Sequence, residues 1–208
     1  FEFTLLVTGT HLEKEFGYTF SEIDKDCFSN LELIDLKIKK NKSPSEISAI
    51  LIKKISIFFS SLKPDFFIVL GDRYEALGAV FAAFLKKISI IHLHGGEVST
   101  GSLDNGFRNA ISQLSNFHFT SHQSHTNNLL KMGIKRNKIF TVGPMVIDVI
   151  NSHNALNKLD FMRKINYKFG DFNILISFHP ESYSDDFGIE KLISIFSTVI
   201  HLNSNVLI

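Results

Sequence analysis

Short apolar runs alternate with longer segments of helical period along most of the chain. The runs "FTLLVTG", "DFFIVL", "ISIIHL", "FHFTS" and "KIFTVG" are typical of strands, and "DFFIVL" is typical of a fully buried one. Between them, the apolar residues of four segments recur at helical spacing, over residues 43–62, 75–85, 103–114 and 124–133. This alternation predicts an α/β fold with a Rossmann-like parallel sheet covered by helices on both faces.

The helix predicted over residues 43–62 has clear signals at its start. Ser43 is a residue type favoured at the N-cap, and Pro44 suits the first helical position. Five apolar residues then fall on one stripe, which predicts the face turned to the core: Ile47, Ile50, Leu51, Ile55 and Phe58.

The pattern weakens after residue 145 and resumes near residue 167. We expect a Rossmann-like domain over residues 1–145, a polar, Asn-rich linker over 146–166, and the start of a second Rossmann-like domain over 167–208. The second domain would open with the strand "FNILISF", a helix and the strand "NVLI". Because the chain begins and ends inside apolar runs, we expect a fragment of a longer protein that lacks its first β-α unit.

Composition narrows the class of protein. With 44% apolar residues and 21 Phe, the chain has ample material for a packed interior. A net charge of +1 gives no basic face for nucleic acid. The single Cys27 excludes an intrachain disulfide and favours a reducing, cytoplasmic setting. No apolar run approaches the roughly 18 residues of a membrane span, so no membrane partner is expected.

Polar clusters follow three of the predicted strands, where the ligand of an open α/β sheet normally lies. Asp72 and Arg73 follow "FIVLG", the stretch His94-Gly95-Gly96-Glu97 follows "IIHL", and His179 opens the stretch "HPES" after "LISF". The Gly pair is neither a dinucleotide fingerprint nor a P-loop. It fits close backbone approach to a ligand, and it equally fits a tight loop.

Each candidate side chain also has a structural interpretation. Asp72 and Arg73 suit a carboxylate and a guanidinium at a substrate, or equally a helix cap beside a solvated arginine. Asp104 opens a helix with Arg108 four residues on, a spacing that predicts a surface ion pair. His92 lies inside a strand and is interpreted as structural.

Four further histidines lie close together along the sequence, but their spacings match no metal motif, so no metal site is expected: His94, His118, His122 and His125.

Taken in order, several stretches resemble the hydrolysing UDP-N-acetylglucosamine 2-epimerases of sialic-acid biosynthesis. They are "LVTGTHLEKEFGYTFSEI", "GDRYEALGAVFAAF", "IIHLHGGEVSTGSLDNGFRNAISQLSNFHFTS", "VGPMVID" and "FHPES". The resemblance implies a glycosyltransferase-B-like fold of two Rossmann-like domains with a nucleotide sugar in the cleft between them. It further implies that no metal or redox cofactor is needed, and that the full-length protein is a homo-oligomer. The reaction it implies converts UDP-N-acetylglucosamine and water to N-acetylmannosamine and UDP through a glycal.

The resemblance also implies roles for particular residues. Asp72, His94 and Asp104 correspond to the acid and base groups, and Arg73 and His179 to groups near UDP or the sugar. The remaining substrate-side candidates order the loop that lines the cleft: Gly95, Gly96, Glu97 and Arg108. Many relatives carry Glu where this chain has His94, and the family's "GTR"-type loop and "GNSS"-like stretch are absent from residues 1–208.

Alternatives to this function stay open. One is hydrolysis of UDP-N,N'-diacetylbacillosamine in legionaminic-acid synthesis, and another is a catalytically inactive nucleotide-sugar-binding domain. A non-hydrolysing epimerase, which would keep UDP on its product, is disfavoured by "HGGE" and "GDRYE".

Overall fold

The computed structural model describes residues 1–25, 28–37, 43–178, 188–202 and 205–207. It divides into two compact units. The first comprises Phe1–Val98 with Asp104–Pro144, and the second comprises Ser99–Leu103 with Met145–Ile208. Within the described residues no helix has both the length and the apolar character that crossing a membrane requires.

Strands and helices alternate through the first unit. In chain order they are β1 (Leu5–Thr8), α1 (Phe20–Lys25), β2 (Leu31–Ile34), α2 (Pro44–Leu62), β3 (Phe66–Leu70), α3 (Tyr74–Leu85), β4 (Ser89–Leu93), α4 (Asp104–Leu114), β5 (Phe117–Thr120), α5 (Gln123–Lys131) and β6 (Ile139–Thr141). Short 3-10 turns lie at Gly9–Leu12, Lys14–Phe16 and Arg136–Lys138. Strands β1 and β2 form a parallel pair, while β3, β4, β5 and β6 form a parallel sheet in that order. The parallel α/β fold expected from the sequence is confirmed.

Helix α2 begins as its sequence predicts. The Ser43 hydroxyl accepts from the backbone N–H of Glu46, and the Glu46 carboxylate accepts from the backbone N–H of Ser43. This capping box satisfies two backbone donors that the first turn of a helix leaves without intrahelical partners. Three residues of the predicted stripe are buried, Ile47, Leu51 and Ile55, while Ile50 and Phe58 are partly buried and pack against the core; Phe59, which the prediction omitted, is buried as well.

Helix α3 packs closely against α2 to form the core of the first unit. A Cβ built at Gly78 would lie 2.8 Å from Leu51 Cδ2, which explains why a glycine occupies that position. The remaining core side chains of α3 are small, namely Ala79, Val80, Ala82 and Ala83. Small residues on one helix therefore admit the larger Ile and Leu side chains of the other.

Strand β3 was expected to be fully buried, and this prediction was wrong. Phe66, Ile68 and Leu70 are 53%, 48% and 57% exposed, whereas Val69 is 6% exposed. Successive side chains of a strand point to opposite faces. Strand β3 is the end strand of its sheet, and its alternate residues face a side that the described residues do not cover.

The second unit has fewer elements. Helices α6 (Val146–Ser152) and α7 (Lys158–Ile165) precede β7 (Asn173–Leu175), α8 (Ile189–Val199) and β8 (Asn205–Leu207). Strands β7 and β8 pair in parallel, which matches the β-α-β order that the sequence predicts. Asn157 caps α7 by accepting from the backbone N–H of Asp160. The assignment of residues 146–166 as an interdomain linker stays a prediction.

Candidate functional site

The candidate site lies where neighbouring strands of the four-stranded sheet end. Strands β3, β4 and β5 are adjacent and parallel, and they end at Leu70, Leu93 and Thr120. The carboxyl ends of parallel strands meet at one edge, so the segments that follow them are brought together. These segments are Gly71-Asp72-Arg73, His94-Gly95-Gly96-Glu97 and Ser121-His122.

Asp72 and Arg108 form an ion pair at this edge. The Nη2 group of Arg108 donates to Asp72 Oδ2, and its Nη1 group donates to the backbone carbonyl of Glu97 at 3.0 Å. Arg108 is 5% exposed, so the surface position predicted from its spacing to Asp104 was wrong. The arginine instead joins the segments after β3 and β4 to helix α4.

His94 and Glu97 form a second interaction within their own loop. His94 adopts a φ of 63°, a left-handed conformation that a non-glycine residue seldom takes outside constrained loops. Its Nδ1 lies 2.7 Å from Glu97 Oε1. When Glu97 is ionised it can only accept, so His94 Nδ1 carries the proton and, in the neutral ring, Nε2 carries the lone pair.

The Glu97 carboxylate also accepts a hydrogen bond from Ser121, the residue directly after strand β5. Burial by itself raises the pKa of Glu97. Hydrogen bonds from Ser121 Oγ, at 2.6 Å, and from His94 lower this pKa by a larger amount, so it lies below its ordinary value. Ser121 Oγ also lies 2.9 Å from Nδ1 of His125, the imidazole that completes this group. The ionised Glu97 therefore accepts from the residues that follow β4 and β5, and His125 Nδ1 of α5 lies 3.8 Å from its Oε1.

The two glycines of the loop are explained by contacts inside the protein. A Cβ at Gly96 would lie 2.3 Å from the backbone oxygen of His125, and the residue has a φ of 78°. A Cβ at Gly95 would lie 2.9 Å from His92 Nδ1. The amide of Asn128 donates to the Gly96 carbonyl. These contacts support the tight-loop interpretation of the glycine pair.

Arg73 is engaged by a neighbour on its own segment. Its Nε and Nη2 groups donate to Glu75 at 3.2 and 3.3 Å, and its side chain is 62% exposed. The hydrogen bond to Glu75 is the main cause that raises the pKa of Arg73, and the charge of Asp104 contributes. Asp72 caps no helix by side chain, since Arg73 is itself the N-cap residue of α3.

Asp104 is the first residue of α4, where the helix dipole favours a negative charge. His179 lies outside the described residues. Among the residues that the structure does describe, no group of three or more His, Cys, Asp or Glu side chains is arranged to hold a metal ion.

Sequence reasoning missed three side chains that contribute to this edge. Glu75, which is nearly buried, is the partner of Arg73, and its only signal is an acid in an otherwise apolar helix. Ser121 and His125 contact each other, and Ser121 donates to Glu97. The signal for Ser121 was its place directly after strand β5, and His125 lies in the helix that follows, α5.

Comparisons with known proteins show which protein family this chain matches. A family model described as UDP-N-acetylglucosamine 2-epimerase matches residues 1–208. The GDP/UDP-N,N'-diacetylbacillosamine 2-epimerase (hydrolyzing) of Campylobacter jejuni is 34% identical over 177 residues, covering 85% of this chain and 46% of that protein. The UDP-N,N'-diacetylbacillosamine 2-epimerase (hydrolyzing) of Legionella pneumophila is 34% identical over 181 residues, covering 86% and 48%. The chain thus spans about half the length of these curated relatives.

A solved structure shows the same fold. The UDP-GlcNAc 2-epimerase of Neisseria meningitidis, determined with UDP-GlcNAc bound, superposes with a TM-score of 0.70 at 21% identity, covering 99% of this chain and 66% of that one. The glycosyltransferase-B-type fold class that the resemblance implies is confirmed. With a matching family model over its whole length and relatives at 34% identity, the chain belongs to the UDP-N-acetylglucosamine 2-epimerase family.

Proposed function

We propose that the complete protein is a hydrolysing 2-epimerase of a UDP-linked 2-acetamido sugar. The observation that carries this proposal is the buried Arg108, which pairs with Asp72 and donates to the carbonyl of Glu97, whose carboxylate holds His94, at the edge where adjacent strands end. Such an edge supplies several acid and base groups on rigid elements, as a reaction with two proton transfers requires.

The first half of the proposed reaction removes UDP. A base takes the proton from C2, the C2–H electron pair becomes the C1=C2 double bond, and the C1–O bond breaks so that UDP leaves with its electron pair. The Nε2 lone pair of the neutral His94 ring, oriented by the Glu97 carboxylate, is the first candidate for this base. Asp72, oriented by Arg108, is the second candidate for this proton.

The second half adds water to the glycal. The water oxygen bonds to C1 and its proton passes to a base group, while the electron pair of the double bond takes a proton at C2 from an acid group on the face opposite to the one that lost it. The protons taken from C2 and from the water pass to solvent, which reprotonates the acid group, so the free 2-epimer results, one proton is released and the enzyme groups regain their starting protonation. Asp104, at the N-terminus of α4, is the candidate that activates the water or protonates C2.

The first substrate to test is UDP-N-acetylglucosamine, with N-acetylmannosamine for sialic-acid synthesis as its product. The family description and the ligand of the Neisseria structure support it. UDP-N,N'-diacetylbacillosamine is the second, because both 34% identical relatives are named for that sugar. A binding domain without turnover is the remaining alternative.

The test is product analysis with the complete protein. Each UDP-sugar is incubated in D2O, and UDP, the free sugar and deuterium at C2 are followed by NMR. We expect equal amounts of UDP and free 2-epimer, with deuterium at C2. A product that still carries UDP, or ligand binding without turnover, would contradict the proposal. His94→Gln should lower turnover by about 100-fold or more, whereas the exposed His153→Gln should not.

A further inference from the structure

His92 lies between the two elements that carry the Asp72–Arg108 pair. It is the fourth residue of β4 and is fully buried. Its Nε2 lies 2.9 Å from the carbonyl of Gly71, the residue directly before Asp72. Its Nδ1 lies 3.0 Å from the hydroxyl of Ser112, which is one helical turn after Arg108 on α4.

The two hydrogen-bond partners of His92 determine which of its ring nitrogens carries the proton. A carbonyl oxygen only accepts, so Nε2 must carry the proton and donate to Gly71. In the neutral ring Nδ1 then accepts, and the Ser112 hydroxyl donates to it. Burial lowers the pKa of His92 to about 4, so this neutral, singly protonated form persists at neutral pH.

The loop that follows β4 packs on the same ring. A Cβ at Gly95 would lie 2.9 Å from His92 Nδ1 and 3.0 Å from Ser112 Oγ, so the backbone of the loop lies directly against this hydrogen bond. His92 therefore contacts all three segments that hold the candidate acid and base groups: the turn after β3, the loop after β4, and helix α4.

We propose that His92 is a positioning residue that sets the distance between Asp72 and Arg108 through its hydrogen bonds to Gly71 and Ser112. In this role His92 does not contact the substrate. The inference rests on the proposed function only where kcat is the quantity measured. A histidine that only fills space in the core would be equally buried. The distinguishing feature of His92 is that its hydrogen-bond partners, Gly71 and Ser112, lie next to Asp72 and one helical turn after Arg108. Displacements of about 1 Å in a site of this kind cost up to roughly 100-fold in rate.

The central variant is His92→Phe in the complete protein. Phe keeps the ring but leaves the Gly71 carbonyl and the Ser112 hydroxyl without this partner. We expect kcat to fall by about 10-fold or more while KM changes by less than about 3-fold, since orientation of a reacting group acts on the chemical step. His92→Gln, whose amide can donate to Gly71, should recover most of kcat.

His118 supplies the matched control. It is 1% exposed, pairs with His92 across β4 and β5, and has its ring centroid 6.4 Å from that of His92. His118→Phe should destabilise the fold to a similar degree and leave kcat within about 3-fold. Equal losses of kcat in His92→Phe and His118→Phe would overturn the proposal, because general loosening of the sheet would explain both.

Two further measurements keep the inference separate from folding and from the proposed function. If His92→Phe does not fold, Ser112→Ala takes its place, and an unchanged kcat there would refute the role. If the wild-type protein turns over no UDP-sugar, the proposed function fails. The positioning role of His92 is then tested by the coupling energy between Asp72 and Arg108, measured as unfolding free energies in a double-mutant cycle. The Asp72–Arg108 coupling energy should fall in a His92→Phe background, or in Ser112→Ala if that variant does not fold, and stay unchanged with His118→Phe; an equal coupling in both backgrounds would contradict positioning.

Discussion

Arg108 on helix α4 contacts the carboxylate of Asp72, which follows strand β3 36 residues earlier in the chain. The pair is largely enclosed by the protein, and the same guanidinium also holds the Glu97 carbonyl. Removing one member of a buried ion pair leaves the other charge desolvated, which costs far more than the loss of a surface pair. Arg108 therefore contributes to the fold of the site as well as to its charge.

Replacement of Arg108 by Met should destabilise the complete protein strongly. We expect a loss of about 3–5 kcal/mol in the free energy of unfolding, measured by urea denaturation, because Asp72 stays largely buried without its partner. Arg163→Met is the control, since Arg163 pairs with Asp160 on the surface and is 80% exposed. That change should cost less than about 1 kcal/mol. Equal costs for both variants would show that the buried pair does not stabilise the site.

Asp104→Asn should affect catalysis far more than folding. If Asp104 is an acid or base group, turnover of the UDP-sugar should fall by roughly 100-fold or more. Stability should fall by only about 0.3–1 kcal/mol, the usual effect of a charge near a helix N-terminus. Asp160→Asn changes the same residue type in the first turn of α7 and should leave turnover unaltered. Near-normal turnover in Asp104→Asn would assign Asp104 to the helix terminus alone.

The strand ends that carry the candidate site could be predicted from the sequence, but the contact between Asp72 and Arg108 could not. Apolar runs that end in polar residues mark strand ends, and adjacency in a parallel sheet then brings Asp72 and His94 together. Local spacing indicated Asp104, four residues away, as a partner of Arg108 on the helix surface. The structure buries Arg108 and places Asp72 against it, because the packing of α4 against the sheet makes a long-range partner available that no local pattern encodes.

Strand β2 was missed and the burial of strand β3 was predicted wrongly, and both errors have a physical cause. Strand β2 is a short run, "LELI", in which a charge interrupts the apolar residues, so neither strand nor helix period stands out. Strand β3 was expected to be buried because all five residues are apolar, yet the exposure of its alternate residues depends on what packs over that face of the sheet. The sequence pattern of a segment indicates which secondary structure it prefers, whereas its burial depends on which other elements pack against it.

Gly96→Ala should disrupt the loop, and Gly101→Ala is a close control. Both glycines have left-handed φ, 78° and 76°, so both substitutions carry a similar strain of about 1–2 kcal/mol. A Cβ at Gly96 would also meet the backbone oxygen of His125 at 2.3 Å, while a Cβ at Gly101 meets nothing within 4 Å among the described residues. Thermal unfolding should show a clearly larger loss for Gly96→Ala. Equal losses would mean that the loop shifts freely away from α5.

Stability should fall as the pH is lowered from 6.5 towards 4, because two buried histidines resist protonation in the folded state. Burial lowers the pKa of both His92 and His118 from 6.5 to about 4. Within that window the unfolded chain binds more protons than the folded one, so the free energy of unfolding rises with pH. The stabilisation is complete above the unfolded value of 6.5 and is lost by about pH 4.

His118 is the histidine with which to measure this effect, because its Nδ1 makes no hydrogen bond within the described part of the chain. Each pKa unit corresponds to about 1.4 kcal/mol, so the shift from 6.5 to about 4 corresponds to at most roughly 3 kcal/mol. We expect His118→Gln to flatten the fall in urea stability between pH 7.5 and pH 5, and the exposed His153→Gln to leave its slope unchanged. The slope should flatten even if the variant is less stable at every pH, since the slope counts protons and is insensitive to packing. An identical slope in wild type and His118→Gln would show that this imidazole is protonated in the folded protein at its ordinary pH.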